Sequence, residues 1–363
     1  MTAIAASLEA MARDVVDTPC RAFLSGAAED RYAEICSRLD GFDAPVEVLL
    51  ATSVKTNPEP KLLAVGRRHG AYAEVISPGE VALALQAGFT SHQIIYNGPL
   101  RCKASMIPGP AAFAFADSIE ALNCYLDDAV ADVTGIRIRP AGVQSRFGVP
   151  IACSAEIGRL LQRFRPKRFA LSFHVRPQDY GGRTWSQLAS TVIAAGVELS
   201  EKTGTPIVAL DGGGGWTPSS LDELLDTELA RVAQAIHTHL PFVRQLILEP
   251  GQAIATPTEA LLTTVVEVRQ RHAFKDVVVD ATVALLPMIE AYQHRIYAIV
   301  ENKPTLLQDG PDRILGCACL ENDILARGVT LPNSLAEGDR IIIADCGSYD
   351  ASMAFAFAGH EFT

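Results

Sequence analysis

Between residues 46 and 250 the chain repeats one unit: a short, nearly unbroken apolar run, followed in most cases by an amphipathic helical stretch. The runs are VEVLLATSV (46–54), YAEVIS (72–77), QIIYN (93–97), AAFAFA (111–116), TGIRIRP (134–140), FALSFHV (169–175), PIVALD (206–211) and QLILEP (245–250). Near-continuous hydrophobicity over so few residues is what a strand buried on both faces requires. The intervening stretches, such as GEVALALQAG (79–88), WSQLASTVIAAGVELSEKTG (185–204) and LDELLDTELARVAQAIHTHL (221–240), carry helical spacing. Eight strands alternating with helices predict a parallel (β/α)8 TIM barrel. The last run has no clear helix after it, and the helical stretch at about 27–39, ahead of the first run, is placed to close the outer ring.

After residue 250 the rhythm changes. ALLTTVVEVRQR (260–271), DVVVDATV (276–283), RIYAIVENK (295–303), RILGCACL (313–320) and RIIIADCGSY (340–349) are strand-like, with few helices between them, and CRAFLS (20–25) reads as one more strand. These predict a second, mainly antiparallel β-barrel domain whose first strand comes from the N-terminus. The expected division is 26–250 for the barrel and 1–25 plus 251–363 for the β domain, with no low-complexity linker or internal repeat.

Bulk properties narrow the function. The 363 residues are 48% apolar and 20% charged, enough for more than one core. A net charge of −11 and a pI near 5.2 argue against a nucleic-acid or anionic-membrane partner, since nothing would neutralise phosphates. No apolar run reaches the length of a membrane span. The opening MTAIAASLEAMARDVVDTPC lacks a basic region followed by an apolar one, and reads as a short amphipathic helix instead of a signal peptide. Eight scattered cysteines suggest reduced thiols and a cytoplasmic location. The one close pair, Cys317 and Cys319 in CAC, is too tight for structural zinc, and no metal site is expected.

A (β/α)8 barrel carries its active site at the C-terminal ends of its strands. Lys55 follows the first run, His174 ends the sixth, GGGG (212–215) follows the seventh, and Glu249 ends the eighth. Alone, each has an ordinary reading: a solvated lysine, a core histidine, a turn. At one barrel mouth they describe a single ligand. A desolvated lysine amine is suited to Schiff-base chemistry. Glycine N–H groups approach an anion closely. An imidazole can stack on a ring, and a buried carboxylate needs a cationic partner such as a protonated ring nitrogen. Aldehyde, phosphate and pyridinium together point to pyridoxal 5′-phosphate.

At this point the chain resembles the fold-type III pyridoxal-phosphate decarboxylases, the ornithine/diaminopimelate/arginine decarboxylase group. TPCRAFLS, SVKTNP, AEVISPGEVALALQAG, YNGPLR, SRFGV (145–149), FHV (173–175), LDGGGGW (210–216) and LEPG (248–251) follow the family's order. So do DATVALLPMIEAYQH, LGCACLENDILA (315–326) and DCGSYDASMAF (345–355). The resemblance implies Lys55 as the lysine that carries the cofactor, His174 as its stacking partner, and Gly213, Gly214 and Gly215 as the phosphate loop. It implies Glu249 as the partner of the ring nitrogen and Tyr349 as a phosphate contact. It further implies a homodimer with shared active sites, in which Cys319 enters the other subunit's site and, or else a water, protonates Cα after CO₂ leaves an amino-acid substrate.

Several positions depart from the family pattern. Leu320 stands where relatives that hold a distal amine carry an acid, with Glu321 beside it, and an apolar side chain cannot pair a buried ammonium. Leu286 stands where diaminopimelate decarboxylases carry an arginine. Pro177 and Gln252 replace a serine and an arginine expected at the phosphate, with Arg176 the nearby candidate to compensate. The expected activity is therefore decarboxylation of an amino acid with a modified or non-amine distal group, in secondary metabolism or siderophore assembly. The alternatives are an amino-acid racemase or epimerase using the same site, and a regulatory non-catalytic homologue.

Overall fold

The structure, a computed structural model, describes residues 3–42, 46–300 and 303–357. The chain divides into two compact units, Tyr32–Ala253 and a second made of Met1–Arg31 with Ile254–Thr363. Strand β1 (Cys20–Phe23) belongs to the second. The first unit is built on β2 (Glu47–Ser53), β3 (Tyr72–Val75), β4 (Ile94–Tyr96), β5 (Ala111–Ala116) and β6 (Ala131–Arg139). It continues with the two-residue β7 (Val149–Pro150), then β8 (Phe169–Ser172), β9 (Ile207–Gly214) and β10 (Gln245–Glu249). The sheet order is β5-β4-β3-β2-β10-β9-β8-β6, all parallel, and a β5–β6 pairing closes it into the (β/α)8 barrel. β7 is a rung hydrogen-bonded to β6 only.

Each apolar run is a strand, with instructive differences at the ends. β9 runs on to Gly214, so Gly212, Gly213 and Gly214 are strand residues and not the loop expected after it. β8 stops at Ser172, which leaves His174 two residues beyond the strand. The stretch at 221–240 is two helices, Pro218–Thr227 and Leu229–His239, parted at Glu228. Helix starts follow local capping chemistry. Ser77 caps Pro78–Gln86, Ser118 caps Ile119–Asp128, and Thr184 with Gln187 forms a capping box for Trp185–Thr203, which ends at left-handed Gly204.

Inside the barrel, Leu49, Ala51, Ile95, Phe113, Phe115, Val133, Ala170, Ala209 and Ile247 form one packed cluster, with Tyr72 against it. Gly135 is required here: a Cβ would lie 2.6 Å from the Phe115 ring. Because side chains alternate along a strand, this cluster fixes which residues of each strand face inward.

In the second unit β1 pairs antiparallel with β11 (Glu259–Gln270), with Cys20 opposite Leu262, so the N-terminal segment supplies a strand to a sheet otherwise made at the other end of the chain. The remaining strands are β12 (Lys275–Val279), β13 (Ile296–Val300), β14 (Lys303–Leu306), β15 (Asp309–Leu315), β16 (Ile324–Val329) and β17 (Arg340–Ala344). Their order is β14-β13-β17-β11-β12-β15-β16, antiparallel except for β12–β15. The run at 295–303 is strand over Ile296–Val300, and residues 301–302 lie outside those described. β14 and β16 end the order as edges, the place where Pro304 is tolerated. One apolar core includes Leu261, Val277, Leu286, Ile314 and Ile343. A second joins Leu8 and Met11 of the helix Ala3–Asp14 to Ala260, Leu262 and Ile342. Among the described residues no helix is long and apolar enough to cross a membrane.

Candidate active site

Two residues beyond each inward-facing apolar position, toward the strands' C-terminal ends, the barrel lining turns polar on all eight strands. The residues are Ser53, Glu74, Asn97, Asp117, Arg137, Ser172, Asp211 and Glu249. Alternation makes them a ring: the pleat that turns Leu49, Ala51 and Ile247 inward also turns Ser53 and Glu249 inward. Burial of three carboxyl groups, Glu74, Asp211 and Glu249, in such a ring is costly unless each finds a donor or a proton. Each does.

Lys55 rises from the end of β2 and its ammonium donates to Oε1 of Glu74 at 2.6 Å, with Oε2 equally close. Ser53 donates to the same carboxylate. Glu74 is fully buried, and that burial, opposed by the Lys55 charge, pushes it up to about 7. Glu249 accepts from Asn97 Nδ2 at 2.8 Å and from His174 Nδ1 at 3.0 Å. Burial alone would raise Glu249; the hydrogen bonds from His174 and Asn97 and the nearby Lys55 charge hold it well below the usual carboxylate range. Burial lowers His174, so the imidazole is neutral at pH 7 and donates its Nδ1–H to an ionised Glu249. Asp211 Oδ1 accepts from the Gly213 amide at 2.8 Å, and burial together with the Glu249 charge raises Asp211 well above its ordinary value. Arg137 donates to the His174 carbonyl at 2.9 Å, and Asp117 takes the Gly148 amide at 2.8 Å.

These groups open onto a cavity of about 430 Å³ lined by Lys55, Glu74, Asn97, Arg137, His174 and Arg176 among others, a size ordinary for a small-ligand site. The structure thus brings together Lys55, His174 and Glu249. The glycine run has two physical causes. Gly213 and Gly215 hold φ of +70° and +92°, while a Cβ on Gly214 would lie 1.9 Å from the Glu249 carbonyl oxygen. Arg176 forms an exposed pair with Asp179 at 2.7 Å, and Pro177 opens the turn between them. Gln252 lies in the short helix Gly251–Ala255.

The remaining expected residues are in the second unit. Cys319 is exposed on the turn after β15, Leu320 is half-buried beside it, and Glu321 is exposed; all three line a second cavity of about 560 Å³. Tyr349 adopts φ +65° at the head of the helix Asp350–Met353, with its ring centroid 6.3 Å from that of Tyr292. Leu286 is fully buried in the apolar core. His294, Cys346 and Asp350 place three donor atoms within 4.8 Å of one another, but each is engaged. Asp350 bonds His294 Nε2 and the Met288 amide, and Cys346 donates to the Ile343 carbonyl.

Glu74, Asn97, Arg137, Ser172 and Asp211 were not anticipated from the sequence. Their signal is a polar residue two positions past the last barrel-lining apolar one, visible only once the strand register is known.

The residues present fit pyridoxal 5′-phosphate. An amine, an ionised carboxylate and glycines in left-handed geometry share one mouth, and Ser172 Oγ is the one buried side-chain polar atom among the described residues without a hydrogen-bond partner. The comparisons agree. The profile of the ornithine/diaminopimelate/arginine decarboxylases, described as pyridoxal-dependent decarboxylase, C-terminal sheet domain, matches residues 123–347. The diaminopimelate decarboxylase of Zymomonas mobilis is 24% identical over 371 residues, covering 94% of this chain and 85% of that protein. The lysine/ornithine decarboxylase of Selenomonas ruminantium is 24% identical over 323 residues, covering 85% and 80%. The crystal structure of lysine decarboxylase from Selenomonas ruminantium superposes with a TM-score of 0.78 at 19% identity, covering 98% of this chain and 93% of that one. With more than half its length matched by the family profile, and with the mouth chemistry that profile's cofactor needs, this chain belongs to the pyridoxal-dependent ornithine/diaminopimelate/arginine decarboxylase family.

Proposed function

We propose that this enzyme removes CO₂ from an amino acid whose distal end is not a simple ammonium, in a homodimer whose active sites are shared. The observation that carries the reading is Glu249, 2% exposed, ionised, and clamped by Asn97 and His174 at the mouth that presents the Lys55 amine. Pyridoxal 5′-phosphate, when bound, supplies a sink for the electron pair that CO₂ leaves behind.

The chain's own residues do the rest. Lys55 would hold the cofactor through its amine, which the structure presents at the barrel mouth bonded to Glu74. Glu74, bonded to Lys55 Nζ and poised near neutral pH, takes and returns that nitrogen's proton. Glu249, held by Asn97 and His174, would pair with a protonated ring nitrogen, and His174 would stack on the ring. Gly213 spends its amide on Asp211, so within the glycine run the phosphate would fall to Gly214 and Gly215. Cys319, exposed on its turn, or else a water, would supply the proton that replaces CO₂ in the partner's site.

Leu320 supports the substrate class. It packs against the second unit's apolar core and has no charge to offer an ammonium. A conjugated or neutral side chain suits it, as in secondary metabolism such as siderophore assembly. The test is a mass-spectrometric screen of amino acids and their conjugates for loss of CO₂. Exchange of the Cα hydrogen for deuterium with the carboxylate retained would establish a racemase instead. Absence of visible cofactor absorbance, unchanged in Lys55→Ala, would mark a silent homologue.

A further inference from the structure

Asp211 is fully buried on β9, inward-facing, and the proposed roles above give it no task. Both its oxygens are nevertheless engaged. Oδ1 accepts the Gly213 amide at 2.8 Å and so holds the turn at which the chain leaves regular strand geometry, φ +70°. Oδ2 faces Asn97 Nδ2 at 3.4 Å, the amide that donates to Glu249 Oε1 at 2.8 Å. The nearness of Glu249 is also among the causes that raise Asp211, so a protonated Asp211 can donate to it. One residue on, β9 passes so close to β10 that a Cβ on Gly214 would collide with the Glu249 carbonyl. The glycine loop and the Glu249 carboxylate therefore meet at Asp211.

Its charge state follows from its neighbours. Glu74, Asp211 and Glu249 are all buried in one ring, and like charges at that density do not all ionise. Glu249 has two donors besides; Glu74 has Lys55. Asp211 is the one that keeps its proton, which it can then share with Glu249. We propose that Asp211 is a positioning residue that ties the Gly213 turn to Glu249 through its shape and hydrogen bonds and not through its charge. The two ends of the cofactor site, anion cradle and ring-nitrogen partner, are then held at one spacing. The inference rests on the cofactor reading above.

The experiment compares Asp211→Asn, Asp211→Ser and Asp211→Ala in the full chain by two readouts. These are amide hydrogen exchange over residues 212–215 without cofactor, and cofactor affinity by absorbance titration. Asparagine accepts from Gly213 and donates to Glu249, so it should keep slow exchange and near wild-type affinity. Serine reaches the Gly213 amide but not Glu249: exchange stays slow while affinity drops. Alanine should speed exchange and weaken affinity by about tenfold, the order expected for loss of a charge-assisted hydrogen bond. If Asp211→Ala does not fold, the serine–asparagine contrast still decides. The proposal is overturned if asparagine loses as much affinity as serine or alanine, or if exchange over 212–215 is indifferent to all three. A wild-type protein that binds no cofactor would instead overturn the function, while the exchange readout would still stand.

Discussion

At the residue scale, the pairing of Lys55 with Glu74 ties the reactive amine to a group that titrates near neutrality. Glu74 has no exposed surface, and burial raises it to about 7 from an ordinary 4.5. A carboxyl whose folded value is raised binds its proton more tightly in the native state. Its stabilising contribution is complete below about 4.5 and is lost as pH rises through about 7. Between those limits stability should fall by up to about 1.4 kcal/mol per pH unit on account of this one group. Thermal melts of the cofactor-free protein from pH 4.5 to 8, wild type against Glu74→Gln, measure it: the difference between the two should change across the window and be flat above it. A parallel pair of curves would show that Glu74 is ionised throughout. Nothing in YAEVIS marks Glu74 as buried, because a lone acid in a short strand carries no sign of the face it takes. Lys55 and Glu249 were legible for the opposite reason: each adjoins a recognisable turn, so each could be placed at a strand end without knowing which face the strand presents.

At the scale of elements, the eight apolar runs were legible because a strand buried on both faces has almost no freedom in composition. The edges were not. β14 reads KPTL and is largely exposed, and β16 is half-exposed, so neither carries the hydrophobic signal of a central strand. The glycine run shows the same limit. As sequence it marked a loop, whereas Gly212 to Gly214 complete β9, because only glycine fits beside Trp185 and the Glu249 backbone. Gly214→Ala places a Cβ 1.9 Å from a backbone oxygen and should destabilise the barrel severely, by about 3 kcal/mol or more. Gly215→Ala meets nothing nearer than 3.5 Å and should cost only the left-handed penalty, about 1 kcal/mol. Chemical denaturation of the two variants ranks them, and equal losses would mean the strand does not extend past Asp211. The turn after β15 makes a parallel case. Asp323 accepts from Thr282 Oγ1 at 3.0 Å and from the Val283 and Ala318 amides, pinning the turn that carries Cys319. Asp323→Ala should therefore raise the alkylation rate of Cys319 severalfold without shifting the visible spectrum of bound cofactor. An unchanged rate would mean that the turn is held by its backbone alone.

At the scale of the whole molecule, the residues proposed for the site lie in separate units. Lys55, Glu74, His174 and Glu249 belong to Tyr32–Ala253; Cys319, Leu320 and Tyr349 belong to the unit formed with the N-terminal segment. A site that needs both sets is assembled either within one chain or between two, and the distinction is measurable. Lys55→Ala and Cys319→Ala each leave one set damaged. In a twofold dimer with shared sites, a mixed dimer holds one site with both defects and one with neither. Random reassociation of equal amounts makes about half the dimers mixed, each with one intact site of two, so about a quarter of wild-type activity should return from two nearly inactive parents. Sites assembled within single chains would contain a defect in every copy, and mixing would restore nothing. Native mass spectrometry of the mixture, with one parent isotopically labelled, separates that outcome from failure to exchange subunits. The recovered fraction therefore reports both whether this chain dimerises and whether Cys319 works on its partner's substrate or its own.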